Sequence, residues 1–431
     1  MRFNLKKDLL TLYIYLTLLI SLSGALVAKG LVNAALFTLL LPSLFYIKKT
    51  WIFLHQTKQI KAIALTVLIL TLPIIAIAVG QTGRQDWFIN HFDGPSRILL
   101  ATPLLFLFIF KRINFTRILY FAAPLLLLLT IISIYIYPEY YWGNRIATSF
   151  VDPNALGAYA ALFTATCLFQ IDVSSKLYLP AQLYPITGTA LGIYLVLASG
   201  TRGSWPAIFL VLILWIYFNR KKLRPASYLY LLLLFSLPIL ALSYTHPELH
   251  DRFLSGIQEV KDWLNHTNLH SSPGFRLSIY KISWQLFLHQ PLFGYGEMGF
   301  IPFLEKPWFD STATNTAKSL LTNAGAHNEF LANLLRSGIL GGLSTLGLFV
   351  IPFYIFIKNS PSTNKAAQIG LAVILSLSVS SLTIEIFNLK YECSLFALII
   401  TGLIAQIIHS KKNINQTENN SENQCNHQNT Q

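Results

Sequence analysis

Three basic residues in this sequence are of types that could act on a phosphorylated substrate. Arg202 lies in "ASGTRGSW" between two apolar stretches, Arg276 follows the breaker "SSPG", and His327 precedes another apolar stretch. The planar fork of arginine matches phosphate oxygens bidentately, and a neutral imidazole accepts a proton near pH 7. Together they suit a transfer from a lipid pyrophosphate, in which cations hold the departing phosphates and a base activates the attacking hydroxyl.

Each of the three residues also has an ordinary explanation. Arg202 could be an interfacial arginine that reaches toward lipid headgroups. Arg276 could be a surface residue, although the first turn of a helix disfavours a cation unless an anion lies beside it. His327 could cap a helix or lie at the membrane interface. The hypothesis therefore depends on the combination, not on one residue.

The elements that position these residues are membrane helices. The chain has 431 residues, of which 54% are hydrophobic and only 12% charged, and its mean hydropathy of +0.52 excludes an ordinary soluble domain. Apolar runs long enough to cross a bilayer recur about twelve times. They lie near residues 9–27, 30–47, 62–80, 97–110, 118–137, 154–171, 181–199, 204–218, 226–244, 330–357, 366–384 and 391–408.

Basic residues alternate between the loops, as the positive-inside rule requires. Cytoplasmic loops are predicted where the basic residues cluster: Arg2, Lys6 and Lys7; Lys48, Lys49, Lys58 and Lys61; Lys111, Arg112 and Arg117; Lys176; Arg220, Lys221, Lys222 and Arg224; Lys358 and Lys365; Lys411 and Lys412. Both termini are then cytoplasmic, and Arg202 lies on the outer face. This distribution explains the net charge of +14 without nucleic acid as a partner.

The longest polar segment, residues 245–326, is predicted to be a folded outer loop with amphipathic helices. Leu249, Phe253, Ile257, Val260 and Leu264 recur at helical spacing, and a second helix is expected after Pro273 and Gly274. We therefore divide the chain into nine membrane helices (1–244), the loop (245–326), three membrane helices (327–410) and a disordered, Asn/Gln-rich cytoplasmic tail (411–431).

Two other kinds of chemistry are less well supported. The pairs His246 with His250, and His266 with His270, have helical spacing, but neither has the cysteine or carboxylate partners of a metal site, so we predict no metal and no cofactor. Cys167, Cys393 and Cys425 are too scattered for a disulfide framework. A transporter remains the alternative of another class, although transporters place ionisable groups in mid-membrane and these spans are almost free of charge.

The motifs resemble a known family. The segments "SGTRGSW", "GFRLSIYKISWQLFLHQPLFGYG" and "AHNEFLANLLRSGILGG" are similar to those of the O-antigen ligase superfamily, which also includes O-antigen polymerases and bacterial protein O-oligosaccharyltransferases. The resemblance implies a GT-C-like, all-α polytopic glycosyltransferase of the bacterial inner membrane, whose active site faces the periplasm.

The resemblance also implies a reaction and roles for residues. It implies a metal-independent, inverting transfer of a glycan from undecaprenyl pyrophosphate to a sugar hydroxyl of lipid A-core. Arg202 and Arg276 match the arginines that hold the pyrophosphate, and His327 matches the histidine that activates the acceptor. The partners would be the lipid-linked donor, lipid A-core and membrane lipids.

Further outer-face residues could contact the donor sugars. Asp93, Arg97 and Arg145 are candidates, whereas Asp152, which precedes Pro153, is more typical of a helix N-cap. Among the superfamily members, the arginine and histidine motifs favour a ligase, while the short polar tail argues against a protein-glycosylating enzyme. Protein O-oligosaccharyltransferase and O-antigen polymerase remain the alternatives.

Overall fold

Helices make up most of the chain. A computed structural model describes residues 9–57, 59–82, 84, 89–141, 145–172, 179–223, 225–245, 248–359, 364–387 and 389–428. The first ten helices are α1 (Leu9–Ser23), α2 (Leu31–Leu44), α3 (Ile47–Gln56), α4 (Ile60–Gln81), α5 (Asp93–Phe110), α6 (Phe115–Ile136), α7 (Pro153–Gln170), α8 (Leu179–Ala198), α9 (Trp205–Asn219) and α10 (Pro225–Thr245). Strands β1 (Glu139–Tyr141) and β2 (Arg145–Ala147) form a short antiparallel hairpin before α7.

Six further helices follow. They are α11 (Glu248–Leu264), α12 (Ser272–His289), α13 (Asn315–Ala324), α14 (Glu329–Lys358), α15 (Lys365–Ser380) and α16 (Lys390–Gln428). Three short 3-10 turns accompany them, at Ile89–Phe92, Arg202–Ser204 and Ile301–Phe303. Helices α11 and α12 confirm the two helices that the spacing in the large loop predicts.

Each of the twelve predicted apolar stretches coincides with a helix, but fewer of these helices are both long and apolar enough to cross a bilayer alone. Within the described residues, seven helices are long and apolar enough to cross a membrane. If the bent pair of α2 and α3 forms one span, the number rises to eight. Helices α1 and α15 are apolar but have only 15 and 16 residues. The chain is therefore a multi-pass membrane protein, and the number of twelve spans stays a prediction.

The centre of the bundle is α7. All its residues from Ala155 to Phe169 are buried, because the helix is apolar on every side and packs against α8 and α15. Helix α16 packs against α5, and α14 against α4. Peripheral helices expose large apolar side chains, such as Phe209 and Ile213 of α9, which are 60% and 61% exposed. Such exposure is expected of helices that contact lipid.

The large loop, residues 245–326, folds over one end of the bundle and has a small core of its own. Ile279, Ile282 and Leu286 of α12 pack with Leu321 of α13 and Leu335 of α14. Helix α11 is joined to α12 by a hydrogen bond from Trp263 Nε1 to Ser278 Oγ, at 2.9 Å. We call this end of the bundle the loop end.

Helix α14 is broken near the loop end. Ser337 and Gly338 have non-helical backbone angles, and Gly338 has a φ of +60°. The turn at residues 291–296 fills the break: Tyr295 N donates to Leu335 O at 2.6 Å, and Ile339 N donates to Pro291 O at 2.7 Å. In a regular helix Ile339 N would donate to Leu335 O instead. The turn therefore satisfies both backbone groups that the break leaves unpaired.

The end of the chain differs from the sequence-based expectation. Helix α16 continues to Gln428, through most of the segment 411–431 that the composition predicts to be disordered. The apolar span before it supplies a formed helix, and extension of a helix adds one hydrogen bond for each residue that is fixed. Helix formation in the segment 411–428 therefore needs no new nucleus.

Candidate functional site

Arg202 lies in the 3-10 turn that joins α8 to α9 at the loop end. The turn packs closely against the loop after α15. At the neighbouring Gly203 there is no room for a side chain, since a Cβ atom there would lie 1.7 Å from Thr383 Oγ1. The guanidinium points to α11, where Nη1 donates to Glu259 Oε2 at 2.9 Å and Nη2 donates to Glu259 Oε1 at 3.3 Å. Since its fork is engaged within the protein, Arg202 is not a headgroup anchor in this structure.

The sequence suggested that Arg276 lies in the first turn of its helix, but it lies in the second turn of α12. The helix begins at Ser272 because the Ser271 side chain caps it by accepting a hydrogen bond from Gly274 N. The field of a helix terminus fades beyond the first turn, so repulsion by the helix end is not a reason for an anion here. Burial lowers the pKa of Arg276, the Tyr280 hydroxyl opposes the shift, and the charge of the neighbouring Arg202 adds to it. The proximity of this second cation is the stronger reason for an anion beside Arg276.

Asn154 connects two of the predicted arginines. Its Oδ1 accepts from Arg145 Nη2 at 2.8 Å and from Arg276 Nη2 at 3.4 Å. Arg145 also donates to Ser199 O and to Thr201 Oγ1, both at 2.8 Å. Arg145 therefore joins β2 to the start of α7 and to the turn that carries Arg202, which is a positioning role beside the site.

Asp152 caps α7, as predicted. Its carboxylate accepts from Asn154 N at 2.8 Å and from Ala155 N at 3.3 Å. These bonds fix the first turn of α7 and, with it, the Asn154 side chain between the two arginines. The carboxylate also lines the cavity that contains His327.

His327 lies just before α14 and does not cap it. The neighbouring Asn328 is the cap, since its Oδ1 accepts from Phe330 N and Leu331 N, both at 3.0 Å. His327 has a φ of +50°, a conformation that costs free energy for a residue other than glycine. Tyr280 of α12 supports it by donating its hydroxyl to His327 O at 3.1 Å.

His327 lines a cavity of about 210 Å³. Its lining residues come from four segments of the chain: Asp152, Asn154, Ala155, Ala324, His327, Ile384, Glu385, Leu389 and Glu392. Burial, and then the charge of Arg276, lower the pKa of His327 to about 4, although Asp152 opposes the shift. The imidazole is therefore neutral at pH 7 and can accept a proton.

Carboxylates also lie in the wall of this cavity. Asp152, Glu385 and Glu392 all line the His327 cavity. Each is engaged by backbone: Asp152 caps α7, Glu385 Oε1 accepts from Ala326 N at 2.7 Å, and Glu392 Oε2 accepts from Leu389 N at 2.8 Å. The sequence could not place Glu385 and Glu392 beside His327, because they lie more than fifty residues away along the chain.

Sequence reasoning also missed an ion-pair chain that supports the His327 segment. Arg336, in α14, pairs with Glu297 at 2.9 Å and with Glu385 at 2.8 Å. Glu385 in turn accepts from Ala326 N, next to His327. On the other side of the turn 291–296, Arg84 Nη1 donates to Tyr295 O at 2.6 Å.

Asp93 and Arg97 are not part of the His327 cavity. Asp93 pairs with Lys390 and lines a second cavity of about 170 Å³. The guanidinium of Arg97 lies over the Phe37 ring, 5.2 Å from its centroid. The structure therefore brings together Arg202, Arg276 and His327 but places these two candidates elsewhere.

The histidine pairs considered for metal binding give no cluster in the described residues. His246 lies outside those residues, and the His270 ring packs edge-on against Phe275 with centroids 5.6 Å apart. No group of three or more His, Cys, Asp or Glu side chains that could hold a metal ion occurs in the described ranges.

Comparison with known families connects the site to a superfamily. Residues 187–346 match the family model described as O-antigen ligase. The resemblance to the O-antigen ligase superfamily is confirmed. The matched stretch contains Arg202, Arg276 and His327, whereas Asp93, Arg97 and Arg145 precede it. The family supports activity of the ligase or polymerase type.

One relative extends the similarity beyond this stretch. An uncharacterized protein of Haemophilus influenzae is 24% identical over 294 residues, which cover 68% of this chain and 71% of that protein. The similarity therefore includes membrane helices as well as the large loop.

Proposed function

We propose that this protein is an O-antigen ligase that transfers a glycan from undecaprenyl pyrophosphate to a sugar hydroxyl of lipid A-core, on the periplasmic face of the bacterial inner membrane. The observation that supports it best is the juxtaposition of two arginines with a buried, neutral histidine. Arg276 donates to Asn154, which lines the His327 cavity. Burial is the main cause of the lowered pKa of Arg276 and of His327, and the charges of Arg202 and of Arg276, respectively, add to it, so the three groups are within electrostatic reach of one another.

The proposed reaction is a single displacement. The acceptor oxygen forms a bond to the anomeric carbon, while the bond from that carbon to the pyrophosphate oxygen breaks. The proton of the hydroxyl passes to His327, and the electron pair leaves with the lipid pyrophosphate. Arg202 and Arg276 stabilise the charge of the leaving group, and the nearby Asp152 stabilises the imidazolium that forms.

The three carboxylates that line the cavity accept hydrogen bonds from the backbone, which fits a single displacement without a carboxylate nucleophile. A retaining mechanism would need one of them as a free nucleophile. Asp152, Glu385 and Glu392 instead accept backbone hydrogen bonds that hold α7, the His327 segment and α16. We therefore assign them to positioning and to electrostatics, and we assign an inverting course to the reaction.

The experiment that tests the function is a lipopolysaccharide gel with a parallel assay of lipid-linked glycan, from cells that lack the gene and from cells rescued with the intact chain. A ligase predicts loss of all O-antigen bands and accumulation of lipid-linked polymer. Core with a single repeat would indicate a polymerase. An unchanged ladder would refute both and direct attention to glycosylated proteins.

The low pKa of His327 predicts an unusual pH profile. A base is inactivated when it is protonated, so a pKa near 4 should keep kcat/KM constant as the pH falls from 7 to about 5, with the decline only below that. We expect the transfer rate of the purified protein in nanodiscs to follow this curve. His270→Ala, which removes an exposed histidine of the same loop, should leave the profile unchanged. A decline centred near pH 6.5 would show that His327 is not the titrating base.

A further inference from the structure

The fork of Arg202 is occupied by a carboxylate of the large loop. Both oxygens of Glu259 accept from it, at 2.9 and 3.3 Å. Ser255, one helical turn earlier, donates its hydroxyl to Glu259 Oε1 at 2.6 Å and so orients the carboxylate. A bidentate carboxylate offers an arginine the same two-oxygen arrangement as a phosphate. Glu259 therefore takes the position that a phosphate ligand of Arg202 would need.

The local balance of charge favours exchange of this carboxylate for a larger anion. Arg276 is close enough to Arg202 for the two charges to repel, and its hydrogen bond to Asn154 is long, at 3.4 Å. The bonds of Glu259 go to Arg202 and Ser255, and Arg276 bonds to the neutral Asn154. A pyrophosphate carries more charge than a carboxylate, so it can replace Glu259 beside these two cations with a gain in Coulomb energy.

The ion pair is also accessible. The side chains of Arg202 and Glu259 are 23% and 21% exposed, so a ligand that approaches the loop end can reach them. Helix α11, which carries Glu259, presents Ile257 and Leu264 to the outside, at 73% and 63% exposure. Displacement of Glu259 therefore needs a change of side-chain rotamer or a small shift of α11, not the opening of a packed core.

We propose that Glu259 is an internal competitor of the lipid pyrophosphate: it holds the fork of Arg202 in this structure and must leave when the donor binds. The inference rests on the proposed function, because it takes Arg202 as a ligand of the pyrophosphate. Glu259 then sets the affinity for the donor, and it prevents the exposed cation from retaining ordinary anions. It has no part in the bond-breaking step.

The test is binding of farnesyl pyrophosphate to the full chain in nanodiscs. Glu259→Gln keeps the length and helix propensity of the side chain but removes its charge. Because exposed ion pairs are worth up to about 1 kcal/mol, we expect the dissociation constant to fall by about fivefold. Asp262→Asn is the matched control: it removes the same charge from α11, where Asp262 accepts from Gln258, and should change binding less than twofold.

A double variant isolates the contact. In Arg202→Gln, binding should be weaker, and adding Glu259→Gln to that background should have no further effect. If Glu259→Gln still tightened binding of the probe in the Arg202→Gln background, the effect would be one of general charge, and the inference would be overturned. The same would follow if Asp262→Asn tightened binding of the probe as much as Glu259→Gln does. Unchanged or weaker binding in Glu259→Gln would also overturn it. If Arg202→Gln bound the probe as tightly as the unmodified protein, the proposed function itself would fail.

Discussion

Arg202→Lys should abolish glycan transfer almost as completely as Arg202→Ala. Lysine keeps the charge but loses the planar fork that binds two oxygens at once. Because loss of one preorganised donor to a developing anion typically costs 10² to 10³ in rate, we expect both variants to lose about that factor in kcat. The measurement is transfer of lipid-linked glycan to core by the purified protein in proteoliposomes.

The control is an arginine at the opposite end of the same helix. Arg220 follows α9, and its guanidinium lies over the Tyr217 ring, 4.3 Å from the centroid. Arg220→Lys should transfer glycan at the normal rate, since it changes an interfacial arginine without touching the loop end. If Arg202→Lys were equally active, charge alone would suffice, and the bidentate role of Arg202 would be wrong.

His327→Asn should lose 10² to 10⁴ in kcat, the usual contribution of a general base, while donor affinity changes less than threefold. Asparagine is the informative substitution because it tolerates a positive φ better than most residues, and His327 has a φ of +50°. The backbone between Ala326 and Asn328 can then keep its course, so the loss reports the missing imidazole. Single-turnover transfer and probe binding measure the two quantities separately.

His270→Asn controls for the removal of a histidine from this face of the protein. That side chain is exposed and packs on Phe275, so transfer should not change. Normal transfer by His327→Asn would remove His327 as the base. A parallel fall in binding and in kcat would instead indicate that the substitution disturbs the arginines.

Hydropathy and local spacing predicted most of the framework. Every apolar stretch contains a helix, α11 and α12 lie where the 3.6-residue period places them, and Asp152 caps α7 as its position before Pro153 predicts. These features depend on neighbours within one or two helical turns. The number of membrane crossings was less predictable, because seven of the described helices are long and apolar enough when taken alone, and the bent pair of α2 and α3 would make eight.

Contacts between distant segments could not be predicted. Glu259 meets Arg202 across 57 residues, and Glu385 meets Ala326 across 59. Nothing in the local composition marks these glutamates, which look like ordinary charges of a helix and a loop. Asp93 and Arg97 were selected by sequence because they are polar and are predicted to lie on the outer face, and this criterion cannot distinguish one site from another at the same end of a bundle.

The break in α14 also constrains the order in which the protein is assembled. While α14 is being inserted, Leu335 O and Ile339 N have no partner in their own helix, and unpaired backbone groups are costly in lipid. Their partners, Tyr295 N and Pro291 O, lie in the loop that is synthesised earlier and that the predicted topology places on the outer side. On that topology, the loop has to reach the outer side before the broken helix α14 can pair all its backbone groups.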